Sequence, residues 1–258
     1  MKTIPAGKDK PAANASDGLR TIGALARKEI YSYSISGAFY GTTVFFLLFV
    51  NIWLFYFQHY FAMDAATLRP YFAAFPLAFI IVIPVITMKS WAEERKLGSL
   101  ELLLTMPFSE WDLVLGKFIA SLSALAAMLA LTIPLPLSII PLGNFDAGVI
   151  AGEYLGALLL GASAISLGLL LSACSRSQGG AFLGSAVTLL AVTLINRLTL
   201  SFNLPQALAE CINFLSLSFH FESFSKGLID SRDLAFFIIT TGLFLFLNTR
   251  VLLFRKWR

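Results

Sequence analysis

The residues that could carry chemistry are concentrated in one short polar stretch between two long apolar runs. Glu93, Glu94, Arg95 and Lys96 form a charged cluster, and the leucine-rich piece that follows it ends at Pro107. Charged groups beside an apolar helix face can recognise another protein or a membrane surface. No carboxylate pair lies in the middle of an apolar run and no Ser/His/Asp grouping is present, so the sequence indicates binding rather than catalysis.

Catalytic and metal-binding signatures are missing elsewhere in the sequence. There is no G-x-x-x-x-G-K-[ST] loop to hold a nucleotide phosphate, so we expect ATP to be hydrolysed on another chain and no cofactor to bind here. His59 and His220 are far apart and neither begins a metal-ligand spacing, so we expect no metal site. Cys174 and Cys211 are predicted on opposite faces of a membrane, where they cannot pair.

The composition places these residues in a membrane protein. Of 258 residues, 57% are hydrophobic and 13% are charged, about half the charged fraction of a soluble domain. Six apolar stretches are long enough to cross a bilayer. They are 37–57, 70–89, 111–139, 148–173, 180–198 and 234–254. The sequence predicts an all-α integral membrane protein with one six-span domain, 37–258, preceded by a disordered tail, 1–17.

Lysines and arginines predict the orientation, because cytoplasmic loops carry the excess of positive charge. Of the 19 such residues, only a few fall on the side opposite the termini; they are Arg69, Arg197, Lys226 and Arg232. Both termini and the polar stretch are therefore predicted to be cytoplasmic. The net charge of +4 is accounted for by this topology, so we expect no nucleic-acid partner.

Local signals predict a short helix in the polar stretch. Gly98 suits the left-handed residue that ends one helix, Ser99 suits an N-cap, and Glu101 lies in the first turn, where the helix dipole favours an acid. Three leucines share one face at helical spacing; they are Leu100, Leu103 and Leu104. This face either dips into lipid or docks into a partner protein.

Two motifs resemble those of a known transporter family. "EERKLGSLELLLTMP" resembles the signature of ABC-2-type ABC transporter permeases. The matching residues are Glu94, Arg95, Gly98, Ser99, Leu100, Glu101, Leu103 and Pro107. A second motif, before the last span, resembles the gliding-motility (GldF-like) group of these permeases. Its matching residues are His220, Phe221, Gly227, Leu228, Ile229 and Asp230.

The resemblance implies a type V exporter-like fold with specific parts. Residues 92–107 would form a cytoplasmic coupling helix that docks into a separate ATP-binding subunit. Residues 18–36 would form an interfacial connecting helix with its apolar side on lipid, and 203–229 would form external re-entrant helices. The expected coupling residues are Glu93, Glu94, Arg95, Lys96, Gly98, Ser99, Leu100, Glu101, Leu103, Leu104 and Pro107.

The resemblance also implies partners. They are an ABC ATP-binding subunit that holds ATP and Mg²⁺, a second copy or a related permease, the bilayer, and an accessory membrane subunit. The location would be a bacterial inner membrane. The expected function is ATP-driven export of a lipid-like or amphipathic substrate, because the spans are apolar and aromatic.

Candidate pathway residues lie in the first two spans. Phe45 and Phe49 share a face with the polar Asn51 nearby, and an intramembrane amide should face protein or a cavity. Pro84 removes a backbone hydrogen bond and predicts a kink before the coupling helix. By resemblance, spans one, two and five line the passage between two subunits.

Some alternatives remain open from the sequence alone. A glycine and alanine track in span four serves either a subunit interface or packing within the chain. Glu153 and Arg197, near the outer span ends, either reach the headgroups or form an ion pair. The chain is also compatible with a structural component of a motility or secretion machine. A secondary transporter is disfavoured, because no ionisable residue lies at a clear span centre.

Overall fold

The computed structural model describes residues 15–60, 67–105, 109–143, 145–201, 206–228 and 230–256. These residues form helices and turns, with no β-strand among them. Six stretches are long and apolar enough to cross a membrane. They are Gly37–Phe57, Arg69–Lys96, Glu110–Ile139, Ala147–Cys174, Gln178–Asn196 and Ser231–Phe254. The predicted all-α, six-span architecture is therefore confirmed.

The α-helices follow one another along the chain with short connections. They are α1 (Ala15–Ile35), α2 (Gly37–Ile52), α3 (Arg69–Phe72), α4 (Phe75–Lys96), α5 (Ser99–Thr105), α6 (Glu110–Ala130), α7 (Pro134–Ile139), α8 (Ala147–Cys174), α9 (Gln178–Ser201), α10 (Gln206–Leu215), α11 (Leu217–Ser225) and α12 (Ser231–Lys256). A π-helical turn, Trp53–Phe57, extends α2. The predicted tail lies largely outside the described residues, and α1 begins at Ala15, slightly before its predicted start.

Helix α8 lies at the centre of the bundle and packs against α4, α6, α9, α11 and α12. Its glycines allow this close packing. A Cβ on Gly156 would lie 2.7 Å from the Cβ of Phe224, and one on Gly168 would lie 2.5 Å from Oγ1 of Thr87. The small-residue track of span four therefore packs within this chain at these positions.

The N-terminal helix α1 packs along the start of α6. A Cβ on Gly116 would lie 2.9 Å from the Cβ of Leu25. Further along both helices, the hydroxyl groups of Tyr33 and Ser121 form a hydrogen bond. Leu25 also joins an apolar cluster beneath α5. The apolar side of α1 was predicted to face lipid. For Leu25 this prediction is wrong, because α6 covers its side chain. Ile30 remains 39% exposed.

At the other end of the bundle, α10 and α11 occupy the predicted external segment. Helix α11 lies along the outer part of α8, where Phe224 meets Gly156 and Gly227 meets Val149. Phe224 is fully buried by this contact. The position of α11 beside a spanning helix is compatible with the predicted re-entrant helices, whose depth in lipid stays a prediction.

Candidate functional site

Helix α4 continues past the apolar part of span two and ends at Lys96. Gly98 adopts φ = +71°, a conformation that glycine takes without a steric penalty, and the chain then reverses into α5. The Ser99 hydroxyl donates to the Glu94 carbonyl at 3.2 Å, which ties the start of α5 to the last turn of α4. The short helix stands where the sequence predicts it.

Helix α5 has one side covered by its own chain and one side open. Leu100 is 6% exposed, and Leu103 packs partly buried against a cluster of apolar residues. That cluster comprises Trp91, Leu100, Leu113, Val114, Ala173, Leu245 and Leu252. By contrast, Leu102 is 68% exposed, Leu97 is 72% exposed and Glu101 is exposed.

This packing corrects the predicted docking face. Leu100 and Leu103 were expected to insert into a partner, but they anchor α5 to the bundle. The accessible apolar groups belong to Leu97 and Leu102, which the sequence motif does not single out. The side chain of Leu104 and the whole of Pro107 lie outside the described residues.

Arg95 is also used inside the chain. Its guanidinium donates to the backbone carbonyls of Ala173 and Ser175, at the C-terminal end of α8, with 2.5 Å between Nη2 and the Ala173 oxygen. The last carbonyls of a helix lack partners within it and attract a cation. Arg95 was predicted as a docking residue, but the structure shows it capping α8.

Glu94 has a similar internal role. The Lys117 ammonium donates to Oε1 of Glu94 and to Oε1 of Glu29, both at 2.8 Å, and it lies 4.9 Å from the ring centre of Trp91. Lys117 is only 5% exposed, and the two glutamates are 21% exposed or less. Three helices, α1, α4 and α6, therefore meet at one buried ion cluster directly behind α5.

A second polar contact reinforces the same junction. The Tyr33 hydroxyl donates to the Ile86 carbonyl at 3.1 Å and lies 3.1 Å from Oγ of Ser121. Burial raises the pKa of the Tyr33 phenol above its usual value, so the hydroxyl keeps its proton and remains a donor. The sequence patterns did not predict a role for Tyr33 or Lys117 at this junction. A lysine inside the apolar run "VLGKFIA" was the available signal.

Two members of the predicted charge cluster remain accessible. Lys96 is exposed and Glu93 is half-buried, and neither forms a salt bridge within the described part of the chain. With Glu101, Leu97 and Leu102 they form the open surface of this region, here named the α5 surface. Its apolar and charged groups could contact a soluble protein.

The predicted pathway residues fall on α2 and α4. Phe45, Phe49, Trp53 and Phe57 form a column of rings along α2, with successive ring centres 5.7–6.2 Å apart. Phe45 is 37% exposed, so the start of this column faces outward.

Two other predicted pathway residues have local roles. The Asn51 amide donates to the carbonyl of Leu47 at 2.6 Å and is half-buried, so its own helix satisfies it in part. Pro84 is buried within α4, and its place on the pathway stays a prediction. A hinge at Pro84 stays a prediction.

The external motif forms a structural corner between α11 and α12. His220 is 1% exposed, with Nδ1 2.6 Å from Oδ1 of Asp233 and Nε2 2.9 Å from the Phe214 carbonyl. Its ring stacks on Phe236 at 3.8 Å between centroids. Phe221 is 3% exposed. Both ring nitrogens are thus occupied by acceptors of the same chain.

Two further residues of the motif, Gly227 and Asp230, shape the turn. Gly227 has φ = +74°, and its amide donates to the Phe224 carbonyl, which ends α11. The Asp230 carboxylate accepts from the amide of Arg232 and caps the start of α12. The geometry explains the motif by helix capping and one buried pair, and it supplies no ligand site.

Glu153, near the outer end of α8, is 1% exposed and accepts a hydrogen bond from the Ser225 hydroxyl at 3.3 Å. It was expected to reach the headgroups or to pair with Arg197. The first alternative is wrong, because α11 covers the carboxyl. The side chain of Arg197 lies outside the described residues.

Six apolar helices, with the short helix α5 and its charged neighbours at one end of the bundle, define a multi-pass membrane protein. Residues 23–248 match the model of the ABC-2 family transporter proteins. Because the match covers most of the chain, the protein belongs to this family.

Similarity to characterised proteins is more limited. A stretch of 116 residues is 31% identical to proteins named "Probable multidrug ABC transporter permease YbhR" from Escherichia coli strains K12 and O157:H7. The alignment covers 45% of this chain and 31% of each relative. The aligned part of this chain therefore covers less than a third of the length of each curated relative.

Proposed function

We propose that this chain is the membrane-spanning subunit of an ATP-driven exporter and that a separate ATP-binding subunit docks on the α5 surface. The observation that carries the proposal is the two-sided packing of α5. Leu100 and Leu103 fix the helix to the bundle, while Leu102 of α5 and Leu97, just before α5, stay exposed. A helix anchored in this way can transmit the movement of a docked partner to the spans.

The ion cluster behind α5 supports this transmission. A push on α5 would reach α4 through Gly98 and would reach α1 and α6 through Lys117. Arg95 carries the connection further, to the end of α8. Four helices thus respond to one docking element. In this proposal, both termini and α5 lie on the cytoplasmic side of a bacterial inner membrane, as the distribution of lysine and arginine favours.

The assembly would contain two ATP-binding subunits and two permease chains, either identical or related. The substrate class we infer is amphipathic or lipid-like, which the outward-facing aromatic column on α2 supports. The name of the Escherichia coli relatives, a multidrug permease, agrees with this class. The motility-group resemblance leaves a machine component, with an accessory membrane subunit, as the alternative assembly.

The docking test compares two neighbouring leucines. Leu102→Asp should leave the chain folded but remove the ATP-binding subunit, because burial of one leucine contributes about 1.5–3 kcal/mol and a buried carboxylate costs more. Leu103→Asp should instead lower the melting temperature of the chain itself. The measurements are co-purification of the ATP-binding subunit and thermal unfolding in detergent.

Leu228→Asp is the matched control, because Leu228 is 64% exposed at the opposite end of the bundle. It should keep both the partner and the stability. If Leu102→Asp retains a full complement of the ATP-binding subunit, α5 is not the docking element. Transport of an amphiphile by the purified complex in liposomes, dependent on ATP, separates an exporter from a machine component and from an ion-driven transporter.

A further inference from the structure

A groove of about 670 Å³ opens at the α5 end of the bundle, between the α1–α2 junction and the last turns of α4. It lies beside the α5 surface but belongs mainly to other helices. Its lining includes three lysines and three glutamates together with apolar and aromatic side chains. The groove shares Glu93 and Leu97 with the α5 surface, and the proposed function assigns no ligand to its other lining residues.

The α4 wall of the groove changes in character along the helix. Val85, Lys89 and Glu93 all line it and follow one another at four-residue intervals, which places them on one helix face. An apolar group therefore lies furthest toward the spans, a cation one turn closer to the helix end, and an anion one turn beyond that. Lys89 and Glu93 make no salt bridge within the described residues.

The opposite wall is likewise apolar toward the spans and polar at its other end. Phe39 and Ile35 line the part toward the spans, Ser32 comes next, and Lys28 lies furthest from them. Both walls thus offer apolar contacts at the membrane side and hydrogen-bonding or charged groups at the other. A molecule that fits both walls has an apolar tail followed by a polar, charged head.

Glu94, which lines the groove, carries an unsatisfied acceptor atom. The buried Oε2 atom of Glu94 has no hydrogen-bond partner among the described residues, although Oε1 is bound by Lys117. Because Lys117 carries one positive charge and contacts two carboxylates, this cluster keeps a net negative charge. A donor with a positive charge would satisfy it.

We propose that the groove binds the headgroup of a phosphatidylethanolamine-type lipid from the adjacent leaflet. Lys89 and the Ser32 hydroxyl would contact the phosphate, and Glu93 and Oε2 of Glu94 would accept from the primary ammonium. The acyl chains would leave along Val85, Ile35 and Phe39. The order of tail, phosphate and ammonium in this lipid matches the order of apolar, cationic and anionic residues on α4.

Other headgroups fit the groove less well. A glycerol headgroup supplies no cation for Glu93 and Glu94, and a choline headgroup has no N–H to donate to a carboxylate. This inference rests on the proposed orientation, which puts this end of α4 at the inner leaflet. It does not require an ATP-binding subunit or transport, so it is tested on the chain alone.

The experiment is native mass spectrometry of the full, delipidated chain titrated with dioleoyl phosphatidylethanolamine, phosphatidylglycerol or phosphatidylcholine. The first phosphatidylethanolamine should bind about tenfold more tightly than the first molecule of either other lipid, because only it pairs with both charged sites. Glu93→Lys should reverse the preference toward phosphatidylglycerol. Val85→Trp should weaken binding of all three lipids by filling the groove.

Arg250→Glu is the charge-reversal control, because Arg250 lies near the same end of the bundle but outside the groove. It should leave the preference unchanged. Equal binding of the three lipids by the wild-type chain, or an unchanged preference in Glu93→Lys, would overturn the proposal. Soluble phosphoethanolamine that competes as well as the lipid would assign the groove to a soluble ligand, and displacement of the lipid by an ATP-binding subunit would assign it to a protein interface.

Discussion

The Nζ atom of Lys117 lies 2.8 Å from Oε1 of Glu94, across the junction of α6 and α4 and close to α5. The same ammonium holds Glu29 of α1 at 2.8 Å. One buried cation therefore fixes the relative positions of three helices, and it does so at the point where the end of α4 turns into α5.

Removal of this cation should destabilise the chain strongly. Lys117→Met would leave two carboxylates largely buried and unpaired, at a cost of about 3–5 kcal/mol. We expect a clear fall in the melting temperature in detergent. The triple variant with Glu29→Gln and Glu94→Gln should recover most of the loss, because no charge remains unpaired. A Lys117→Met chain that melts like wild type would show that the cluster has no structural role.

The close approach of α8 and α11 gives a second prediction. Gly156→Ala would place a Cβ 2.7 Å from the Cβ and the Cγ of Phe224, atoms near the backbone that cannot rotate away. We expect about 1–3 kcal/mol of destabilisation, measured by thermal or denaturant unfolding. The control is Gly152→Ala in the same helix, where nothing lies within 4 Å of the new Cβ. Equal stability of the two variants would contradict this packing.

The buried histidine between α11 and α12 gives a third prediction. Asp233→Ala would leave Nδ1 of His220 without its partner in a site that is 1% exposed. An unpaired buried polar group costs about 1–3 kcal/mol, so the melting temperature should fall. Glu222→Ala, at an exposed position of α11, should not change it. Should both variants melt alike, the His220–Asp233 pair does not hold α11 on α12.

The proposed topology is tested by cysteine labelling in whole cells. In a chain with Cys174→Ser and Cys211→Ser, Glu101→Cys should react only with reagents that enter the cytoplasm. Glu222→Cys should react with reagents that do not cross the membrane. Both positions are exposed, so access to reagent depends on the side of the membrane. Labelling of both residues by an impermeant reagent would exclude an arrangement with six spans between cytoplasmic termini.

Much of the fold could be predicted from the sequence because it depends on local properties. The length and apolar character of each run determine where a helix can cross a bilayer. Gly98 marks the turn into α5 because glycine has no Cβ and adopts the left-handed backbone found there, φ = +71°, without a steric penalty. Gly227 ends α11 in the same way, and Asp230 marks the start of α12 because its side chain caps that helix.

The assignment of roles within the candidate site depended on tertiary structure. Helical spacing puts Leu100 and Leu103 on one stripe, but it does not say whether that stripe meets the same chain or another protein. The structure covers it with residues from α4, α6, α8 and α12 and leaves Leu102 open. Glu94 and Lys117 likewise lie 23 positions apart. No local pattern pairs two charges at that separation, and only the packing of α4 against α6 brings them into contact.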